Sequence, residues 1–411
     1  MKNLFCLLIL FFLHIKMGEL KAQSYWYQQN SGTNQGLYGV CFSDNKTGTA
    51  VGTFDTILRT TDGGKTWSPQ NSGTSNLHFF DVTFVDPDTG IVVGIGGTIL
   101  RTTNGGVNWT RQLNGIIAAI LSVSFGDKNN GTAVGHTGII LRTTNGGISW
   151  EQKPDAPTTL RAVHFTDKHN GFAVGDNGLV MRTTDGGDNW FEQPSGIQVN
   201  LQGVCFTDTT TGTVVGGSNL TGARIYRTTD AGGTWTLQHN IPNVALTDVY
   251  FTDSQTGTAV GWDGIILHTS DGGATWINEI SGTNNTLLSV TFVNSEKGYA
   301  AGGVGTILVK ADSGVTDVDL EFLPEKFILE QNYPNPFNPH TKIQFSLSRR
   351  SFVNLTVFNS LGAKIETLIA EELNAGTYNY DWNANGLPSG VYFYTLRAGN
   401  FIATKKLILL K

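Results

Sequence analysis

Two series of polar side chains recur at regular intervals in this sequence, and both are of types that can do chemistry. Guanidinium groups bind anions, and carboxylates bind cations or move protons. A residue that recurs in nearly every repeat favours a structural role: the cation bonds to a neighbouring turn, and the Asp or Asn caps its own turn. Asn stands at two of the six cap positions, where it keeps the cap and loses the charge that calcium would need. The first series is Arg59, Arg101, Arg142, Arg182, Arg227 and His268; the second is Asp62, Asn104, Asn145, Asp185, Asp230 and Asp271.

The sequence singles out no catalytic residue. Glycoside hydrolysis needs two carboxylates at a defined separation, and no feature of the sequence nominates such a pair. Cys41 and Cys205 occupy the same place in two distant repeats, too far apart for a disulfide, and are predicted to be small buried apolar residues. Since no metal-ligand spacing or redox motif is found, neither a metal nor a cofactor is predicted.

The elements that position these residues follow from an internal repeat. An eight-residue string, first seen at residues 60–67, recurs with its final Trp spaced by 40 to 45 residues. Each period also holds one alternating apolar run and two short apolar runs between Gly and Asp turns. This period and composition predict the four-stranded blades of a β-propeller. The turn and packing residues predicted for the strings are Asp62, Trp67, Asn104, Trp109, Asn145, Trp150, Asp185, Trp190, Asp230, Trp235, Asp271 and Trp276.

Seven inner strands are predicted, but only six complete strings precede an outer strand. The seventh string, residues 310–317, has lost its first Thr and its Trp. Residues 26–33 parallel residues 67–74, so the N-terminal strand is predicted to complete blade seven, with Trp26 replacing the lost Trp. Such closure removes an exposed sheet edge. The inner strands are predicted to begin at Leu37, Phe79, Ile120, Leu160, Leu201, Leu246 and Leu287.

The repeated string Thr-x-Asp-x-Gly-x-Thr-Trp resembles the Asp-box, or bacterial neuraminidase, repeat. Its spacing and its Ile-Leu-Arg-Thr-Thr-Asp-Gly-Gly context are most similar to the photosystem II assembly and stability factor family, over residues 24–317. That resemblance implies an all-β, seven-bladed propeller that serves as a protein-binding scaffold, without implying a photosynthetic role. Sialidases and xyloglucanases also carry the box, so an extracellular glycoside hydrolase is the alternative. The Arg-Ile-Pro element of sialidases is missing, and only one propeller is present where the xyloglucanases use two.

The last 80 or so residues are predicted to form a second domain. The segment Asn332-Tyr333-Pro334-Asn335-Pro336-Phe337 opens it, and strand-like runs follow at 343–347, 353–358, 390–396 and 405–411. Together with a basic C-terminus, these features predict a small β-sandwich and resemble the type A sorting domain of the type IX secretion system. The resemblance implies binding to the secretion machinery through residues 330–411 and delivery to the cell surface or the medium.

Composition and the N-terminus fit an exported protein. Residues 1–22 read as a signal peptide, residues 23–317 as the propeller and residues 318–329 as a linker. No transmembrane segment is predicted once the signal is removed, and a monomer is expected. The chain has a net charge of −6, and its acidic excess lies before residue 330. An acidic propeller is a poor candidate for binding nucleic acid or an anionic membrane.

Function is expected where the blades differ. The loops between second and third strands are predicted to share a face with the crossings between blades, opposite the Asp-box turns. Trp262 is off-pattern there and could stack on a sugar or anchor a peptide; it could equally pack on its neighbouring blade. The varied second residue of each inner strand is predicted to face the channel or to pack between blades. The candidate residues for binding a protein or glycan are Phe54, Asp55, His136, Arg161, Asp176, Asn219, Trp262 and Asp263.

Overall fold

The computed structural model describes residues 26–310, 327–347, 351–373, 376–399 and 401–410. The predicted signal peptide, nearly all of the seventh string and most of the predicted linker lie outside these residues. Within the described parts, the regular elements are β strands and three short 3-10 turns. The turns span His136–Gly138, Asp176–Gly178 and Trp262–Gly264.

Seven antiparallel four-stranded sheets form the propeller, which confirms the predicted fold class. The first six blades run in chain order from the channel outwards, and the seventh takes its outer strand from the N-terminus. The strands are β1 (Trp26–Gln29); β2 (Leu37–Phe42), β3 (Gly48–Gly52), β4 (Ile57–Thr60) and β5 (Ser68–Pro69) in blade one; β6 (Phe79–Phe84), β7 (Gly90–Gly94), β8 (Ile99–Thr102) and β9 (Thr110–Arg111) in blade two; β10 (Ile120–Phe125), β11 (Gly131–Gly135), β12 (Ile140–Thr143) and β13 (Glu151–Lys153) in blade three; β14 (Leu160–Phe165), β15 (Gly171–Gly175), β16 (Val180–Thr183) and β17 (Phe191–Gln193) in blade four; β18 (Leu201–Phe206), β19 (Gly212–Ser218), β20 (Gly222–Thr228) and β21 (Thr236–Ile241) in blade five; β22 (Leu246–Phe251), β23 (Gly257–Gly261), β24 (Ile266–Thr269) and β25 (Ile277–Glu279) in blade six; and β26 (Leu287–Phe292), β27 (Gly298–Gly302) and β28 (Ile307–Lys310), which join β1 in blade seven.

Every inner strand begins at its predicted residue and carries a β-bulge at its second position. A bulge leaves one residue outside the ladder and re-aims its side chain. In the sequence these positions carry a different residue in most blades. The strand register explains this variation, because a bulged residue pairs with no residue on the neighbouring strand and is not restricted by one. The bulged residues are Tyr38, Phe80, Leu121, Arg161, Gln202, Thr247 and Leu288.

Each blade is built around the same aromatic pair. In blade one the rings of Phe42 and Trp67 meet edge to face, with centroids 5.9 Å apart. A Cβ at Gly48 would lie 2.5 Å from the Phe42 ring, so the second strand must begin with Gly. Such pairs bury large apolar surfaces in the blade interior. The equivalent pairs are Phe84–Trp109, Phe125–Trp150, Phe165–Trp190, Phe206–Trp235, Phe251–Trp276 and Phe292–Trp26.

The N-terminal strand closes the ring as predicted. Strand β1 pairs antiparallel with β28, with Trp26 opposite Lys310. The Trp26 ring meets Phe292 edge to face at 6.0 Å, which is the aromatic pair of the other six blades. Blade seven in turn contacts blade one, where the Tyr299 hydroxyl donates to the Gly63 carbonyl at 2.9 Å.

The second domain is a β-sandwich of two sheets, ordered β29-β30-β33 and β32-β31-β34-β35. Side chains such as Phe345, Leu355 and Tyr394 fill its fully buried core. The strands are β29 (Ile328–Leu329), β30 (His340–Leu347), β31 (Ser351–Asn359), β32 (Lys364–Leu373), β33 (Gly376–Asn383), β34 (Gly390–Ala398) and β35 (Phe401–Leu409).

Two expectations about this domain need correction. The predicted linker ended at residue 329, but Ile328–Leu329 forms a strand because Leu329 is buried in the sandwich core. The sequence also missed β32 and β33. Strand β32 lies at a sheet edge and exposes Glu371 and Glu372, so it lacks the apolar alternation by which strands are recognised.

Candidate ligand-binding face

The propeller has two faces of different character. On the box face, the Asp-box turns meet the first hairpin of each blade, as where the Gly63 amide donates to the Lys46 carbonyl. On the opposite loop face, the second hairpins meet the crossings between blades. In blade one the amide of Thr53 donates to the Gly36 carbonyl, and that of Asp55 donates to the Leu77 carbonyl. This arrangement is the one expected from the sequence.

The Asp-box residues close their own turns. The Asp62 carboxylate accepts the amide of Thr66 at 2.9 Å and its hydroxyl at 2.6 Å, while Thr60 donates to it at 2.8 Å. These bonds, led by the Thr66 hydroxyl, lower the pKa of Asp62 to about 2. Asn104 makes the equivalent bonds to Thr102 and Asn108, so the amide serves as the cap without a charge.

Four of the five recurring arginines bond to the blade that follows, whereas the Nε of Arg182 is buried without a hydrogen-bond partner among the described residues. Arg59 donates to the Pro87 carbonyl at 2.9 Å, and Arg101 donates to the Gly146 carbonyl at 2.7 Å. Arg227 reaches the Ser254 carbonyl in the same way, at 2.7 Å. Carbonyl oxygens of neighbouring turns thus occupy donors of these guanidinium groups, as the structural interpretation of the series requires.

Side chains in the channel wall cap the inner strands, which are sheet edges with unpaired amides. The Asp81 carboxylate accepts a 2.9 Å hydrogen bond from the amide of Val123 in the next blade. The Asp248 carboxylate accepts one of 2.8 Å from the amide of Val290. The Cys205 sulfur accepts the amide of Phe251 at 3.3 Å, and burial raises the pKa of this thiol to about 12, which keeps it unreactive. Sequence reasoning missed both carboxylates, although they stand out from the Gly, Ala and Ser at the same strand position.

We expect the propeller to lose stability as the pH rises from 4 to 8. Burial raises the pKa of Asp81 to about 6 and that of Asp248 to about 7. The folded state therefore binds these protons more tightly than the unfolded chain does. Proton binding stabilises the folded state fully below about pH 4, and this stabilisation is lost as the pH rises through the folded pKa values. One pKa unit corresponds to about 1.4 kcal/mol, so the total loss is several kcal/mol.

Urea unfolding at a series of pH values measures this dependence. The Asp248→Asn variant should show a much smaller change between pH 5 and 8, because its side chain no longer titrates. Asp253→Asn is the control, since Asp253 lies in a hairpin where backbone bonds lower its pKa and it does not titrate in that range. An unaltered slope in the Asp248 variant would contradict the assignment.

The hairpins of the loop face place residues in the left-handed backbone region. In six blades the two central turn residues have positive φ, which is the type I′ pattern and favours Gly or Asn. Phe54 and Val304 nevertheless occupy the first of these positions, with φ of 51° and 55°. A β-branched residue such as Val304 or Thr137 is strained in this region, and strained residues cluster at functional sites.

Four of these hairpins, in consecutive blades, each present an exposed apolar side chain, and we call this set the apolar sector. Trp262, Val304, Phe54 and Ile95 come from blades six, seven, one and two, which are consecutive in the ring, and expose between 38% and 62% of their surface. The bulged residues of blades one and two, Tyr38 and Phe80, are also aromatic, and their rings meet at 5.5 Å. The bulged residues of blades four, five and six are polar: Arg161, Gln202 and Thr247.

The other predicted site residues fall into three groups. Asp55 is already bonded by the Thr74 hydroxyl and the amide of Asn76, which assigns it to shaping the turn. Arg161 and Asp176 form an ion pair with each other at the loop face. His136, Asn219 and Asp263 lie in second hairpins of blades three, five and six, and their part in binding stays a prediction.

Sequence reasoning missed Ile95 and Val304. Both lie in the hairpins whose residues differ between blades. An aliphatic residue is normally assigned to the core, and its exposure in a hairpin can be recognised only when the ends of the flanking strands are known. Among the described residues, no group of three His, Cys, Asp or Glu side chains could hold a metal ion. In the same residues, no helix is long and apolar enough to cross a membrane.

Comparison with known families agrees with this architecture. Residues 19–112, 73–154 and 153–238 match the model of the photosynthesis system II assembly factor YCF48, and together cover more than half of the chain. The chain belongs to the YCF48 family. Residues 331–410 match the secretion system C-terminal sorting domain, so this YCF48-type propeller is exported to the cell surface or beyond.

Solved structures share the fold. YCF48 from Cyanidioschyzon merolae is 24% identical, with a TM-score of 0.59 over 70% of this chain and 99% of that one. A structure of YCF48 bound to D1 peptide is 20% identical, with a TM-score of 0.60 over 70% and 97%. PorZ, a surface component of the type IX secretion system of Porphyromonas gingivalis, is 14% identical, with a TM-score of 0.52 over 93% and 60%. No curated protein matches the chain.

Proposed function

We propose that the exported YCF48-type propeller is a non-catalytic binding protein that recognises a polypeptide through the apolar sector of its loop face. The observation that carries the proposal is the placing of Phe54 and Val304, both exposed, at left-handed turn positions of adjacent blades. Gly or Asn would be more stable there, so the apolar side chains are retained at a cost in stability. Contiguous exposed apolar side chains are typical of protein interfaces.

Two further points support a polypeptide partner. The structure of YCF48 with a D1 peptide shows that a relative of this fold binds peptide. Two of the three candidate carboxylates of the loop face, Asp55 and Asp176, are engaged by Thr74 and Arg161, so neither is free to act as a general acid or base and no free pair is left among the candidates. A glycoside hydrolase therefore remains the weaker alternative.

Photocrosslinking on intact cells tests the proposal. A photoreactive phenylalanine analogue at position 54 or 304 should give one discrete adduct with a protein. Val107, an exposed apolar residue of an Asp-box turn, provides the matched control position and should not give that adduct. Adducts that are equal at both faces would contradict the proposal. Binding of the full chain to a glycan array, lost in Trp262→Ala, would instead favour carbohydrate recognition.

The left-handed positions make a second prediction. Val304→Asn should stabilise the propeller by about 0.5–1 kcal/mol, because Asn tolerates positive φ better than a β-branched residue. The same change should weaken partner binding, since it removes an exposed apolar contact. Thermal unfolding is measured together with the crosslinking yield of the photoreactive analogue at position 54. Thr137→Asn, at the same turn position of blade three, is the control and should leave the crosslinking yield unchanged. A variant that is less stable than the wild type would refute the strain argument.

The sorting domain gives a third prediction. Deletion of residues 330–411 should abolish secretion and leave a folded propeller in the periplasm, because this segment matches the secretion system sorting domain. Fractionation of cells that express the full chain and the truncation measures the effect. Normal secretion of the truncation would disprove the role assigned to the tail.

A further inference from the structure

The sorting domain carries a groove on the outer face of its four-stranded sheet. Alternate residues of β31 point to opposite sides, so Val353 and Leu355 enter the core while Phe352, Asn354 and Thr356 face away from it. The groove has a volume of about 570 Å³. Thr356 lies at the floor of the groove and is buried by its larger neighbours, although it is on the outer face of the sheet. We call this surface the tail groove.

The floor of the tail groove is polar but internally satisfied. The Thr356 hydroxyl donates to Asn354 Oδ1 at 2.6 Å. Thr395 and Thr404 share a hydrogen bond of 2.9 Å on the neighbouring strands. Because these groups bond to one another, specificity for a partner must come from the charged side chains around them.

Three cations surround this floor. Lys364 and Arg397 line the groove from β32 and β34. Lys406 lies on the same face of β35, two residues beyond Thr404. Among the described residues, none of the three lies within ion-pair distance of a carboxylate, whereas Arg161 and Lys310 of the propeller both do. The register places Glu372 on this face too, beside Phe352 at one end.

We propose that the tail groove binds an extended acidic segment of a protein of the secretion machinery. This inference rests on the sorting role of the tail. Unpaired cations on a concave surface attract carboxylates, and charge complementarity sets partner choice and association rate. Phe352 and Ile402, both exposed, offer apolar contacts on the same sheet.

The spacing of the cations favours an extended chain over a single phosphate. Neighbouring strands lie about 4.8 Å apart, so β32 and β35 are separated by about 14 Å. Lys364 and Lys406 lie level with Phe358, whereas Arg397 lies level with Asn354, four residues or about 13 Å along β31. A single phosphate cannot contact all three cations, whereas an extended peptide with carboxylates spaced along its length can.

Export of the full chain in a type IX-secreting bacterium tests the proposal. The double variant Lys364→Gln/Arg397→Gln should lower the exported fraction about tenfold and accumulate in the periplasm, consistent with loss of two interfacial charge contacts. Lys168→Gln/Lys342→Gln is the matched control, because it removes two exposed cations elsewhere and should be exported normally. The charge-conserving variant Lys364→Arg/Arg397→Lys should keep most of the export. Thermal unfolding of each variant identifies any failure to fold.

The outcomes separate this inference from the sorting role itself. If the protein that lacks residues 330–411 stays in the cell while the double variant is exported normally, the groove proposal is overturned and the sorting role stands. Export of the deletion overturns the sorting role. Normal export with loss of cell-surface attachment would assign the groove to an anionic lipid or saccharide and also overturn the proposal.

A binding measurement supplies an independent readout. The purified full-length chain should bind a labelled peptide of repeating Glu-Glu-Phe, more weakly as salt is added. The double variant should lose this binding, and the matched control should keep it. Absence of salt-sensitive binding by the wild type would contradict the proposal.

Discussion

Replacement of Trp26 by Ala is expected to lower the free energy of unfolding by roughly 3–5 kcal/mol, the usual cost of truncating a buried aromatic side chain. Trp26 is only 3% exposed and packs edge to face on Phe292. Its indole Nε1 also donates to Glu279 Oε2 of blade six at 2.7 Å. The residue therefore joins the closing strand to two blades, and its loss should loosen β1 as well as leave a cavity.

Chemical unfolding of Trp26→Ala beside Trp109→Ala measures this contribution. Trp109 is 8% exposed and holds the equivalent place in blade two, where it packs on Phe84, and the strand that follows it leads into blade three and does not close the ring. Both variants should lose stability, and only Trp26→Ala should make the N-terminal segment sensitive to protease. An unchanged free energy of unfolding in Trp26→Ala would exclude the role of β1 in closure.

Replacement of Lys310 by Ala is expected to cost roughly 3–5 kcal/mol, because it leaves a buried carboxylate without its charge partner. The Lys310 ammonium lies 3.1 Å from Glu279 Oε1, and the two side chains are only 6% and 8% exposed. Lys310 stands where the other blades have the Thr of the Asp-box, and Glu279 where most have Gln. Blade seven thus has an ion pair to blade six where the other blades have the Thr of the Asp-box turn.

The double variant Glu279→Gln/Lys310→Thr restores the residues typical of the other blades. It should be much more stable than Lys310→Ala, since no unpaired charge is left in the interior. Lys342→Ala is the control, because its pair with Asp381 is exposed and 3.9 Å long, and it should cost under about 1 kcal/mol. Equal losses in Lys310→Ala and Lys342→Ala would contradict a buried pair.

The sequence predicts most of the propeller because each blade repeats the same local instructions. The string that ends at Trp67 contains its own hydrogen bonds, from Thr60 and Thr66 to Asp62, so its structure follows from its residues. The seventh aromatic pair was predictable for the same reason, since Trp26 precedes a segment parallel to that after Trp67.

Contacts between blades could not be predicted in this way. Glu279 and Lys310 lie in different repeats, and nothing in the sequence brings them together until the order of strands in blade seven is known. The carboxylates of Asp81 and Asp248 likewise bond to amides of the following blade, so their environment depends on ring geometry.

The candidate binding face was predicted in part. Trp262 and Phe54 differ from the repeat in a way that the sequence displays, and both are exposed on the loop face. The importance of Val304 depends on its positive φ, which cannot be read from a residue that elsewhere would belong to the core. In the second domain, edge strands such as β32 carry too weak an apolar alternation to be recognised.

Strand β28 has a mechanical consequence, because it ends at Lys310 and the polypeptide continues from there towards the sorting domain. It lies between β27 and β1 in the middle of blade seven. Hydrogen bonds of an antiparallel ladder run perpendicular to the strands. A pull on the tail along β28 therefore loads the bonds to both neighbouring strands together, in shear, instead of peeling them open one at a time. Force applied to the tail during export or on an anchored molecule acts first on blade seven. There the Lys310–Glu279 ion pair and the contacts of Trp26 oppose separation of the strands.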